Sequence, residues 1–135
     1  MKYDAALLQL FKVFEKITRA SLKNCFPFKD KMIFVVEEGQ LKKALGKNKE
    51  NVEKVEKAIN RKIKIVEFSS DVLVFTKNVF MPLKILEMSN DNGIITIKGP
   101  DQKTKGLMIG AKAQNLRLYE EIVQTYFDIK EIKVI

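Results

Sequence analysis

Two stretches of the chain share one frame ahead of a helical apolar pattern: two apolar residues, a glycine, three small or basic residues, any residue, an asparagine and an apolar residue. The first is Ala44-Leu45-Gly46-Lys47-Asn48-Lys49-Glu50-Asn51-Val52, the second Met108-Ile109-Gly110-Ala111-Lys112-Ala113-Gln114-Asn115-Leu116. Their glycines lie 64 residues apart. Val52, Val55 and Ile59 follow the first stretch as Leu116, Tyr119 and Val123 follow the second. A repeat of this length is one small domain used twice. A Gly-and-Lys turn that opens a helix is suited to holding a phosphate, because helix starts present unpaired N–H groups and the positive end of the dipole. Charge gathers at the same places. Between Gly39 and Lys64 there are nine Lys/Arg against three Glu, and from Lys98 to Arg117 five basic residues against one acid.

The elements that must position these turns are legible from apolar spacing. Leu7, Leu10, Phe11, Phe14 and Ile17 recur at helical intervals, so residues 4–21 read as an amphipathic helix. Pro27 and Lys29-Asp30-Lys31 read as a turn between short strands near 23–26 and 31–37. A short helix at 40–45, the turn Gly46–Lys49, a helix to about Asn60 and a strand at 63–68 complete the first half. The second half repeats the order. A helix runs from the N-cap Asp71 to Phe80, before Pro82. Strands at 83–88 and 94–98 flank the turn Asn90-Asp91-Asn92-Gly93. A helix after Pro100-Asp101, the turn Gly110–Ala113, a helix at 114–127 and a strand at 131–135 follow. The boundary falls at Ser69-Ser70, giving units 1–69 and 70–135. Units this small are marginal alone, and the junction has no Gly/Pro-rich linker, so the halves are expected to pack as a fixed pair.

The repeated frame resembles the KH motif, I-G-x-x-G-x-x-I, a signature of RNA binding. The likeness extends through Ile33-Phe34-Val35-Val36-Glu37-Glu38-Gly39, Ile65-Val66-Glu67-Phe68-Ser69-Ser70-Asp71, Phe80-Met81-Pro82-Leu83-Lys84-Ile85 and Phe127-Asp128-Ile129. Together these resemble the archaeal NusA family of transcription termination/antitermination factors. That resemblance implies an α+β fold of two tandem type II (prokaryotic) KH domains, each αββααβ with a three-stranded mixed sheet packed on helices. It implies that each turn clamps the backbone of single-stranded RNA while bases lie in an apolar groove. Gly46, Lys47, Asn48 and Lys49 would form the first clamp, with Lys42 and Lys43 beside it. Gly110, Ala111, Lys112 and Ala113 would form the second. Arg117 could touch phosphate or stack on a base, or could be plain surface. Asn51 and Asn115 could hydrogen-bond RNA or cap their helices. Leu41, Leu45, Ile65, Met108 and Ile109 are groove candidates, with plain core as the alternative for each.

The chain departs from the motif at its second glycine, which is Lys49 in one copy and Ala113 in the other. Lys42 also replaces a glycine that the family often has, whereas Gly106 keeps its counterpart. If the second glycine position needs a left-handed backbone, a Cβ there costs roughly 1–2 kcal/mol. If it needs only close approach to a phosphodiester, Ala113 intrudes slightly and Lys49 can swing away.

Composition bounds the alternatives. The 135 residues hold 25 Lys/Arg against 17 Asp/Glu, a net charge of +8, which favours a polyanionic partner. There is no His and only one Cys, which removes the common zinc spacings, Ser-His-Asp triads and Cys-His dyads. Cys25 reads as a small buried hydrophobe, and a lone thiol fits a reducing compartment. The adjacent pairs Glu37-Glu38 and Glu120-Glu121 point to different faces and make no catalytic dyad. No residue is offered as catalytic, and no cofactor or metal is expected. Met1-Lys2-Tyr3-Asp4 leads into an amphipathic segment rather than a signal peptide, and no apolar run reaches membrane-spanning length. A cytoplasmic monomer is expected, with single-stranded RNA as partner. A degenerate KH pair docking on RNA polymerase is the alternative, as is a ribosome or RNA-processing KH protein.

Overall fold

The stripe Leu7, Leu10, Phe11, Phe14, Ile17 makes the first element. In a computed structural model that describes residues 5–135, it forms the inner face of α1 (Ala5–Thr18). Phe14 is fully buried and its ring stacks on Phe34, with centroids 4.4 Å apart. The helix covers the whole apolar pattern but ends at Thr18, short of the expected residue 21. Thr18 Oγ1 donates back to Phe14 O at 2.9 Å and accepts from Ala20 N–H at 3.1 Å, while Arg19 turns left-handed. The expected start at Asp4 and the lead-in Met1–Asp4 lie outside the described residues.

β1 (Leu22–Phe28) and β2 (Lys31–Val36) pair antiparallel, and β3 (Lys62–Glu67) lies parallel to β2. A parallel neighbour needs a crossover, here supplied by α2 (Leu41–Leu45) and α3 (Glu50–Ile59). Met32, Phe34 and Val36 of the central strand join Phe14, Cys25, Ala44 and Val55 in one core. Ile33 and Val35, on the other face, are buried too. Burial pushes the Cys25 thiol up to about 11, so it stays protonated and behaves as a hydrophobe. Pro27 is not in the turn, as its identity suggests, but within β1 opposite Met32. Lys29-Asp30 alone makes the turn. The edge position of β1 tolerates a residue that cannot donate to a ladder.

From Ser69 onward the order repeats. α4 (Val72–Phe80) starts at Asp71, whose carboxylate accepts from the N–H groups of Leu73 and Val74. β4 (Glu87–Asp91), β5 (Ile94–Lys98), α5 (Gln102–Ile109), α6 (Gln114–Tyr126) and β6 (Glu131–Val134) follow. The sheet order is β4-β5-β6, antiparallel then parallel. Phe75, Phe80, Ile95, Ile97, Met108, Ile122 and Val123 are fully buried. The expected strand at 83–88 is displaced. The hairpin turn is only Asn92-Gly93, both with positive φ, so pairing continues through Asn90 and Asp91 and the strand begins at Glu87.

The chain divides between Phe68 and Ser69 into two compact units, each αββααβ with a three-stranded mixed sheet packed on helices. Ser69 belongs with the second, where its Oγ accepts from Asp71 N–H at 3.1 Å. The units share a carboxylate device. Glu56 accepts from Ile63 N–H at 3.0 Å and Glu120 from Ile132 N–H at 2.9 Å, tying the last helix of each unit to its third strand. This gives Glu120 of the acidic pair a structural role.

Candidate nucleic-acid interface

The two turns have the same backbone although their sequences differ. α2 ends at Gly46, with φ 74 and ψ −178, and α5 ends at Gly110, with φ 74 and ψ 174. That combination is essentially open to glycine alone. Gly46 N–H bonds Lys42 O and Gly110 N–H bonds Gly106 O. Next come two left-handed residues in each copy. Asn48 (φ 54, ψ 31) and Lys49 (φ 58, ψ 26) match Lys112 (φ 54, ψ 30) and Ala113 (φ 61, ψ 23). Lys49 N–H closes on Gly46 O at 3.3 Å, and Ala113 N–H on Gly110 O at 3.1 Å.

The position of the motif's second glycine therefore does demand a left-handed backbone, and Lys49 and Ala113 adopt it at the cost of a Cβ. A second left-handed position, Asn48 and Lys112, was not visible in the sequence. Relieving this strain has a measurable consequence. Lys49→Gly and Ala113→Gly are each expected to stabilise the fold by roughly 0.5–1 kcal/mol, the strain released less the extra freedom of an unfolded glycine. Urea denaturation checks this. A turn that clamps RNA would hold it equally or better in Ala113→Gly and less well in Lys49→Gly, which loses a cation.

Lys42, Lys43, Lys47, Asn48, Lys49, Ala111, Lys112 and Arg117 are all solvent-exposed. Among the described residues none of the ion pairs engages these cations; the pairs are Lys23–Glu37, Lys62–Glu56 and Lys133–Glu131. The ammonium groups of Lys42, Lys43, Lys47, Lys49 and Lys112 and the guanidinium of Arg117 are thus available to an external anion. Lys64 is of another kind, lying in β3, where burial and then the neighbouring Lys31 ammonium pull it down to about 8. The helix starts behind the turns differ in charge. α3 carries Glu50 and Glu53 in its first turn, whereas α6 carries no acid there. Neither helix start is covered by a side-chain cap.

Asn51 and Asn115 do not cap their helices, for the N-cap positions are Lys49 and Ala113. Asn51 Nδ2–H instead donates to Lys43 O at 3.2 Å and Asn115 Nδ2–H to Leu107 O at 2.9 Å. Among the groove candidates, Met108 is fully buried core and Ile65 packs against the first core. Leu41, Leu45 and Ile109 are half-buried. Leu107, 52% exposed three residues before Gly110, is an apolar surface beside the second turn that the motif frame did not single out. Its exposure could not be read locally, because Leu107, Met108 and Ile109 form an unbroken apolar run.

Two αββααβ units, each presenting a glycine-led, lysine-bearing turn between its second and third helices, make this a tandem KH-like chain. No protein-family model matches it. It is 31% identical over 125 residues to the probable transcription termination protein NusA of Thermoplasma acidophilum, covering 90% of this chain and 87% of that protein. It is 28% identical over 138 residues to the protein of the same name from Methanococcus vannielii, covering 100% of this chain and 80% of that one. The chain belongs to this archaeal NusA family. The crystal structure of APE1850 superposes with a TM-score of 0.74 at 25% identity, over 98% of this chain and 100% of that one.

Proposed function

We propose that the chain is a single-stranded RNA-binding transcription termination/antitermination factor that holds the RNA backbone at its two turns. The supporting observation is the duplicated backbone. Two unrelated tripeptides, Lys47-Asn48-Lys49 and Ala111-Lys112-Ala113, take the same strained path and expose cations beside an uncapped helix start. Strained backbone of this kind clusters at ligand clamps, and phosphate is the anion such a start accepts. The chain acts as a cytoplasmic monomer, with RNA polymerase as a second partner. No catalytic role is assigned. Among the described residues no group of three or more His, Cys, Asp or Glu could hold a metal, and no helix is long and apolar enough to cross a membrane.

The test is a titration of the chain with single-stranded RNA, duplex RNA and single-stranded DNA at several salt concentrations. Single-stranded RNA is expected to bind best, with log K falling by roughly 0.7 per log salt for each phosphate neutralised. The carboxylates of Glu50 and Glu53 at the first turn favour a second reading, a KH pair that docks on RNA polymerase without RNA. Weak binding of all three nucleic acids, with no salt slope, would select it.

A further inference from the structure

We propose that Asn51 and Asn115 are the positioning residues of the two turns. Each side-chain amide braces the strained loop so that its cations face an RNA backbone, without itself contacting RNA. This inference rests on the reading of the turns as RNA clamps.

Each asparagine spans the turn from behind. Asn51 stands at the second position of α3, yet its Nδ2–H reaches back to Lys43 O in α2 at 3.2 Å. Asn115, second in α6, reaches Leu107 O in α5 at 2.9 Å. Both carbonyls lie in the last turn of their helix, where acceptors lack partners within the helix. The bond therefore satisfies an orphan carbonyl and fixes the distance between the two helices that the loop joins. Asn51 is 8% exposed and Asn115 is half-buried.

The leading glycine lies directly over the brace. A Cβ built on Gly46 would stand 2.7 Å from Asn51 Nδ2, and one on Gly110 would stand 2.6 Å from Asn115 Cγ. Between glycine and asparagine the chain passes two left-handed residues, a conformation that persists only where the surroundings over-determine it. The brace supplies that determination at both ends. It also accounts for Lys49 and Ala113 at the motif's second glycine, since a turn clamped from behind can hold a residue with a Cβ in the left-handed region.

The test uses the full chain carrying Asn115→Ala, alone and combined with Lys112→Ala, titrated with a fluorescein-labelled single-stranded RNA oligonucleotide. Amide hydrogen exchange at Ala113 is followed alongside. Asn115→Ala is expected to weaken RNA binding roughly tenfold and to speed exchange of the Ala113 N–H, with far-UV circular dichroism unchanged. In the Lys112→Ala background the same change should cost less than about threefold, because the cation it positions is gone and the effects of coupled residues do not add. A residue that contacts RNA directly, or acts only through global stability, gives losses that multiply. That outcome overturns the inference, as does unchanged binding with unchanged exchange. Should Asn115→Ala not fold, Asn115→Ser is measured in the same way. If both fail to fold, the asparagine serves the whole unit rather than the turn, and the inference falls. Failure of the unsubstituted chain to bind the RNA overturns the clamp reading itself and is recognised without any variant.

Discussion

Gly110→Ala is expected to destabilise the second unit by roughly 2–6 kcal/mol, and Gly46→Ala to do the same to the first. Two costs coincide at each site. A φ of 74 with ψ near 180 lies in a region that a residue with a Cβ enters at a cost of about 1–3 kcal/mol. The added Cβ would also fall 2.6 Å from Asn115 Cγ or 2.7 Å from Asn51 Nδ2, against a side chain already committed to a carbonyl. Moving the asparagine breaks that bond and adds roughly 1–3 kcal/mol for the carbonyl left unsatisfied. A unit of this size has about 3–10 kcal/mol of stability in total, so the combined loss is a large fraction of it. Urea denaturation followed by circular dichroism measures the effect. Gly106→Ala is the control, for it lies inside α5 with nothing within 4 Å of a Cβ and without positive φ. It should be neutral or stabilise by up to about 1 kcal/mol. If Gly110→Ala unfolds within about 1 kcal/mol of the unsubstituted chain, the account of the turn is wrong.

Much of this fold was legible because its main signals are local. The helical spacing of Leu7 to Ile17, the N-cap Asp71 and the glycine-led repeat each fix an element from a few adjacent residues. β4 was not legible. Its sequence Glu87-Met88-Ser89-Asn90-Asp91 is polar, whereas Leu83-Lys84-Ile85-Leu86 before it carries the apolar residues that usually mark a strand. What makes 87–91 a strand is backbone pairing imposed by the two-residue turn Asn92-Gly93, with Asn90 Oδ1 accepting from Gly93 N–H at 3.0 Å. The site shows the same division. The equivalence of Gly46 and Gly110 follows from the repeat, whereas the lysines are read turn by turn, since Lys47 and Lys49 stand where the other copy has Ala111 and Ala113. The bridge from Asn51 to Lys43 O spans eight residues, so an asparagine beside a helix start looks like a cap until the backbone is known. Met108 looked like groove as readily as core, and its repeat partner Ala44, equally buried, settles the matter only once both are placed.

Lys47→Ala combined with Lys49→Ala is expected to weaken single-stranded RNA binding by more than roughly 30-fold at low salt, and the deficit should shrink as salt rises. Two phosphate contacts at about 1 kcal/mol each give that magnitude. Losing both should flatten the slope of log K against log salt by roughly 1.4. The neighbours make the loss larger than contact counting suggests. Glu50 and Glu53 occupy the first turn of α3, favoured there by the helix dipole. With Lys47 and Lys49 in place the four charges at this helix start cancel; without them Glu50 and Glu53 are offset only by Lys42 and Lys43 of α2. The second turn has no such carboxylates to offset, since α6 carries no acid in its first turn. Lys112→Ala with Arg117→Ala should therefore cost less than the first double variant, although it also removes two cations. Adding Glu50→Gln to the Lys47→Ala/Lys49→Ala chain should recover part of the affinity, because it removes repulsion without restoring a contact. Affinity unchanged in the lysine pair would take the first turn off the RNA surface, and no recovery with Glu50→Gln would remove the carboxylate from the electrostatics of the site.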